Sequence, residues 1–168
     1  MTISEILEKM IAFSDGNLHD ISHLICVWTY AKMIGELEKL DPDTQFILET
    51  AAITHDIACP LCREKYGNTN GKRQEVEGGP LVRAFLADTG MTEEQIERVA
   101  FLVGHHHTLT EIDGADWQIL VEADYIVNAS EKGLDRQNIR NFLDRIAGTE
   151  SGKRLIREVF GLCRYSEE

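Results

Sequence analysis

The sequence predicts an all-α fold, one compact multi-helix bundle spanning residues 1–168 as a single domain. Three observations predict it. Apolar residues recur at i, i+3, i+4 and i+7 along most of the chain, the period of a helix with one buried face. No segment shows the apolar–polar alternation of a half-buried strand. Helix-start chemistry, such as Asp41-Pro42 and Thr92 with Gln95, stands ahead of the apolar runs. A chain of this length buries a core of its own.

The elements follow in order. Residues 2–13 place Ile3, Ile6, Leu7, Met10 and Ile11 at helical spacing. A second helix, from about 20 to 40, carries Leu24, Val27, Trp28, Ala31, Ile34 and Leu37 on one stripe, with Asp20 as its expected N-cap. Asp41 then caps a helix with Pro42 at its first position, running to His55. Residues 58–72, broken by Pro60, Gly67, Asn68, Asn70 and Gly71, read as the one long irregular segment. Loops of that length in compact domains usually serve function. A helix over 79–88 follows. Thr92 and Gln95 form a capping box for the next, which ends near His105. Gly114 precedes a helix from Ala115 to Lys132, and Gly133 and Gly148 precede two short helices at 135–147 and 150–164.

Composition narrows the function. A net charge of −12 with no Lys/Arg-rich stripe repels a nucleic-acid backbone, which excludes extended DNA or RNA as partner. The apolar runs are too short and too charged to span a membrane. Met1-Thr2-Ile3-Ser4-Glu5 lacks the basic and apolar regions of a signal peptide, so a cytoplasmic location with reduced thiols is expected for Cys26, Cys59, Cys62 and Cys163. Cys59-Pro60-Leu61-Cys62 has redox spacing, but no second pair and no βαβ pattern accompany it. A homodimer is the default assembly.

The informative feature is His55-Asp56 at the end of an apolar helix, with His23 upstream and Asp124 downstream, each on a helix among core residues. Two imidazoles and two carboxylates without thiolate suit a hydrolytic divalent metal better than a structural zinc. Buried polar groups need partners, since an unpaired buried charge costs several kcal/mol. A metal would partner all four.

The series Asp20-x-x-His23, His55-Asp56 and Asp124 resembles the signature of the HD-domain superfamily of metal-dependent phosphohydrolases, over about residues 19–130. His19-Asp20 is a second literal HD pair, but it opens a helix, and the resemblance assigns the motif to His55-Asp56. It implies an HD-type bundle with the metal in its core, a divalent cation (Mn, Fe, Co, Ni, Zn or Mg) held by His23, His55, Asp56 and Asp124, and attack by metal-activated water oriented by Asp56. Binuclear relatives add a histidine after the HD pair. Here Gln74, Glu75 or Glu77 occupies that region, and His105-His106-His107 follows. Glu75, His105 and His106 are therefore the candidate second-metal set, His105 and His106 the candidate acid–base or phosphate-contacting pair, and His107 the expected surface residue. Arg63, Lys65, Lys72 and Arg73 on the 58–72 segment and just beyond it supply candidate cations for substrate. The implied substrate is a small anionic phosphoester, a nucleotide or a relative of one. A non-catalytic nucleotide- or metal-sensing module and a di-iron oxygenase are the alternatives.

Overall fold

Caps in the sequence set most helix starts in the computed structural model, which describes residues 1–162. Among the described residues there are nine helices and no strand: α1 (Ile3–Phe13), α2 (Leu18–Leu37), α3 (Pro42–Thr54), α4 (Cys59–Tyr66), α5 (Gly71–Leu86), α6 (Glu93–Val103), α7 (Ala115–Lys132), α8 (Arg136–Arg145) and α9 (Glu150–Val159). Asp41 accepts from the amides of Asp43 and Thr44 above Pro42, and Thr92 and Gln95 close a reciprocal capping box on α6. No described helix is long and apolar enough to cross a membrane.

Helix α3 is the hub. Every residue from Ile47 to Thr54 is buried, because α2, α6 and α7 pack around it and α1 covers a further side. Helices α2 and α7 also pack on each other, so three elements meet pairwise around one axis. Helices α5 and α6 form a second layer that closes on α3 through α6. Gly78 permits that pairing, since a Cβ there would stand 2.8 Å from the Val103 side chain. Helix α9 is held to α7 by the fully buried Glu122, whose carboxylate accepts the amides of Gly148 and Thr149 at 2.7 and 2.9 Å.

Four sequence expectations change. Asn17, not Asp20, caps α2, its side chain accepting the Asp20 amide at 3.2 Å; the helix begins a turn earlier, and the Asp20 carboxylate is left for other work. The 58–72 segment is mostly helical, with only residues 67–70 irregular between α4 and α5. Pro60 lies in the first turn of α4, where its missing N–H costs no hydrogen bond. Gly67 ends that helix at φ 68°, and Asn70 caps α5. Two of the expected breakers, Gly67 and Asn70, are caps, and the helix expected over 79–88 starts at Gly71 and runs through Pro80. The C-terminal helix ends at Val159, and Cys163 lies outside the described residues.

Candidate metal centre

The pairwise packing of α2, α3 and α7 delivers four polar side chains to one point. His23 comes from the second turn of α2, His55 is the C-cap of α3 with Asp56 next to it, and Asp124 lies midway along α7. His23 Nε2 is 3.3 Å from His55 Nε2, 3.2 Å from Asp124 Oδ1 and 3.7 Å from Asp56 Oδ2. His55 Nε2 is 3.5 Å from Asp124 Oδ1 and 3.7 Å from Asp56 Oδ2. Both imidazoles are buried, as is Asp124.

Hydrogen bonds behind these groups fix which atoms face inward. The Nδ1–H of His55 donates to the Ala52 carbonyl at 2.8 Å, and that of His23 donates to the Glu131 carboxylate at 3.2 Å. Asn128 Nδ2 donates to Asp124 Oδ1 at 2.7 Å. Each imidazole therefore turns an Nε2 lone pair inward, towards the other lone pair and two carboxylate oxygens. Converging acceptors repel unless a cation lies among them, and backing hydrogen bonds of this kind orient metal ligands. Without a metal, a proton takes that place. Burial opposes charge on His23, but Asp124 and Asp56 outweigh it and raise the imidazole to about 9. His55 is raised for the same reasons; against their own burial, His55 and His106 hold Asp56, and His23, His55 and His106 hold Asp124, below the usual carboxylate range.

A second group shares Asp56. Asp56, His106 and His107 also bring ligand atoms within 4.8 Å of one another. His106 donates through Nδ1 to the Val103 carbonyl at 2.8 Å, which leaves a buried Nε2 with no hydrogen-bond partner 3.6 Å from Asp56 Oδ1. An orphaned buried nitrogen beside a carboxylate oxygen fits a cation or a bound substrate atom. The residues present thus fit a divalent ion at the His23–His55–Asp56–Asp124 set.

The triple histidine divides differently from the expectation. His105 is not at the site. Its ring lies between Phe101 and Trp117, with centroids 4.2 and 5.6 Å away, and its Nδ1 donates to the Phe101 carbonyl. His107 takes its place in the cavity wall, exposed on its outer side and joined to Gln74 Oε1 at 3.2 Å. One residue of register in the turn after α6 separates the two outcomes, and periodicity does not resolve it. Glu75 is likewise elsewhere, accepting from Thr108 Oγ1 at 2.8 Å and paired with Lys72. The buried Gln74 is the α5 side chain that reaches the cavity. The second set expected from the sequence is therefore not assembled; only His106 of its three members faces Asp56.

The centre opens into a cavity of about 620 Å³. Of the four expected cations only Arg63 lines it, and its guanidinium binds Asp20 through two hydrogen bonds of 2.7 and 2.6 Å. Lys65 pairs with Glu77, Lys72 is exposed beside Glu75, and Arg73 lies over the Tyr66 ring, 4.4 Å from its centroid. Folding the segment into α4 and the start of α5 puts Arg63 and Lys65 on one helix and Lys72 and Arg73 on the next, instead of along one loop edge. Asn128, Glu131 and Lys132 reach the site although sequence reasoning passed over them. Their signal was available, since they recur at i+4, i+7 and i+8 from Asp124 on α7. Cys59 and Cys62 are buried free thiols, and burial pushes both up, away from the reactive thiolate.

Comparison with known proteins accords with this geometry. Residues 20–146 match the family model described as the HD domain, and the chain belongs to that superfamily. Its fold is similar to a crystal structure described as a predicted HD superfamily hydrolase from an uncultured Thermotogales bacterium, with 23% identity, a TM-score of 0.68, and 96% of this chain and 86% of that one covered. It is also similar to YpgQ of Bacillus subtilis in its selenomethionine form, with 19% identity, a TM-score of 0.63, and 98% of this chain and 93% of that one covered. No curated protein matches it significantly.

Proposed function

We propose that this protein is a metal-dependent phosphohydrolase acting on a small nucleotide or related phosphoester. The observation that carries the reading is the convergence of His23, His55, Asp56 and Asp124, lone pairs inward, at the wall of a cavity that holds a guanidinium. A divalent cation bound there supplies Lewis acidity towards a phosphoryl oxygen and lowers the pKa of water.

The side chains around it have distinct tasks. Asp56 holds one oxygen towards His23 and His55 and turns the other towards His106, which suits it to orient a water between them. His106 Nε2, unpaired and buried, takes a proton from that water and returns it to the leaving oxygen. Arg63 offers two N–H groups in the planar arrangement that matches a phosphate, at the expense of its hydrogen bonds to Asp20. Phosphoryl transfer needs little more than positioning and charge neutralisation of this kind.

The test is a screen of mononucleotides and simple phosphomonoesters with protein loaded with Mn²⁺, Co²⁺, Mg²⁺ or Fe²⁺. Phosphate release that vanishes in Asp56→Ala supports the reading. Tight nucleotide binding without phosphate release would instead identify a sensing module.

A further inference from the structure

Each acidic group around the cavity is already committed. Asp20 holds Arg63, Glu131 accepts from His23, and Asp56 and Asp124 face the imidazoles of the centre. Arg63 is matched by Asp20. Lys132 is different: it lines the same cavity, and among the described residues no carboxylate lies within ion-pair distance of it. It is the last residue of α7, eight positions beyond Asp124 and on the same helix face as Asn128. Eight residues at the α-helical rise place its Cα about 12 Å from that of Asp124 along the axis.

The wall near these points is mixed: Asn128 and Glu131 present polar groups from α7, and an apolar patch lies beside them. Tyr125 and Phe142 stack with 3.6 Å between centroids and 3° between planes, and Val121 and Leu134 also line the cavity. The cavity therefore carries the centre, an aromatic and aliphatic patch against which an uncharged body can lie, and, on the exposed Lys132, one positive charge with no carboxylate of the described residues paired to it.

We infer that Lys132 is a specificity-determining residue that binds a second anionic group, a carboxylate or a phosphate, at the end of the substrate remote from the reacting phosphate. The substrate class is then a doubly anionic molecule with an apolar or planar middle about two helical turns long. The inference rests on the phosphohydrolase reading for the orientation of the ligand, with its phosphate at the centre. The guanidinium and the ammonium act at opposite ends: Arg63 at the reacting phosphate, Lys132 at the distal anion. The four carboxylates of the cavity are engaged with Arg63 and the imidazoles, so a ligand with a neutral tail gains nothing at Lys132, whereas a distal anion meets an unpaired ammonium.

The experiment measures binding calorimetrically to the metal-loaded full chain, using phosphonates whose P–C bond resists hydrolysis. The ligands are octylphosphonate with a neutral tail, phosphonooctanoate with a distal carboxylate, and octane bisphosphonate with a distal phosphonate. Phosphonooctanoate or the bisphosphonate should bind about tenfold more tightly than octylphosphonate, the size of a modest charge pair. Whichever gains more identifies the distal anion. Lys132→Gln should bring the favoured ligand down to the level of octylphosphonate, and Lys132→Arg should keep most of the gain. Equal binding of all three ligands to the unmodified protein, or an equal loss for all three in Lys132→Gln, overturns the inference. Because no turnover is needed, a positive result alongside absent phosphate release would overturn the hydrolase reading and leave the role of Lys132 standing.

Discussion

The Nε2 atoms of His23 and His55 lie 3.3 Å apart although each ring donates its Nδ1–H backward, to Glu131 and to the Ala52 carbonyl. Two lone pairs at that separation, with carboxylate oxygens on both sides, make a pocket for a positive charge. Much of the chemistry follows from which cation fills it, a metal or a proton.

Removing a ligand should abolish activity without unfolding the bundle. His55→Ala is expected to eliminate phosphate release while the far-ultraviolet circular dichroism keeps its helical form. His19→Ala is the control. Its ring is exposed, 6.5 Å between centroids from His23, and contributes no atom to the centre. Loss of activity in His19→Ala with retention in His55→Ala would assign the motif to the wrong pair.

Protons and metal compete for His23, which gives the metal-stripped protein a defined pH dependence. The folded pKa of about 9 lies above the unfolded value of 6.5. The stabilisation from protonated His23 is therefore complete below about pH 6.5 and lost as the pH rises through about 9. Chelated protein should melt at lower temperature on the alkaline side of that window, while the metal affinity rises over the same range. A melting temperature of the stripped protein that climbs from neutral pH to pH 9 would contradict the arrangement.

Metal binding should stabilise the fold, because the site is assembled from three helices and does not exist in the unfolded chain. A ligand specific for the native state adds RT ln(1 + [L]/Kd), about 4 kcal/mol at a thousandfold excess over Kd. Thermal unfolding with and without chelator reads this directly, and indifference to the chelator would argue against a buried ion.

Glu75 and His106 should now behave differently. Glu75→Gln replaces a carboxylate that serves Thr108 and Lys72, and should leave metal content and turnover nearly unchanged. His106→Ala removes the nitrogen facing Asp56 and should depress kcat at least about a hundredfold, the scale of a lost general base. Equal effects of the two substitutions on kcat would restore Glu75 to the site.

Gly78→Ala tests the packing of α5 on α6. The added methyl would stand 2.8 Å from Val103 Cγ1, and overpacking of this kind costs about 1–3 kcal/mol. Denaturant unfolding with an unchanged midpoint would show that the helices are free to shift apart.

How much was legible in the sequence depends on the kind of signal. His23, His55, Asp56 and Asp124 announced themselves because polar residues among core positions are conspicuous on an apolar helix, and the four do converge. The caps Asp41 and Thr92 were legible for the same reason, a local chemistry with one use. Local chemistry also misled. Asn17 outcompeted Asp20 for the start of α2, and Pro60, Gly67 and Asn70 delimited two helices where they had been read as a loop. Side-chain direction within a short turn was not legible at all. Whether His105 or His107 meets the cavity depends on the packing of Phe101 and Trp117 around one ring, a tertiary fact. The same holds for Gln74 over Glu75.

Elemental analysis of the purified chain, beside that of Asp56→Ala, tests the central claim most directly. A site with two imidazoles and two carboxylates should retain about one divalent ion per chain through gel filtration, as protein-bound hydrolytic metals do. Asp56→Ala should retain almost none. Metal-free protein that takes up no divalent ion on titration, or Asp56→Ala binding as much as the unmodified chain, would contradict the account.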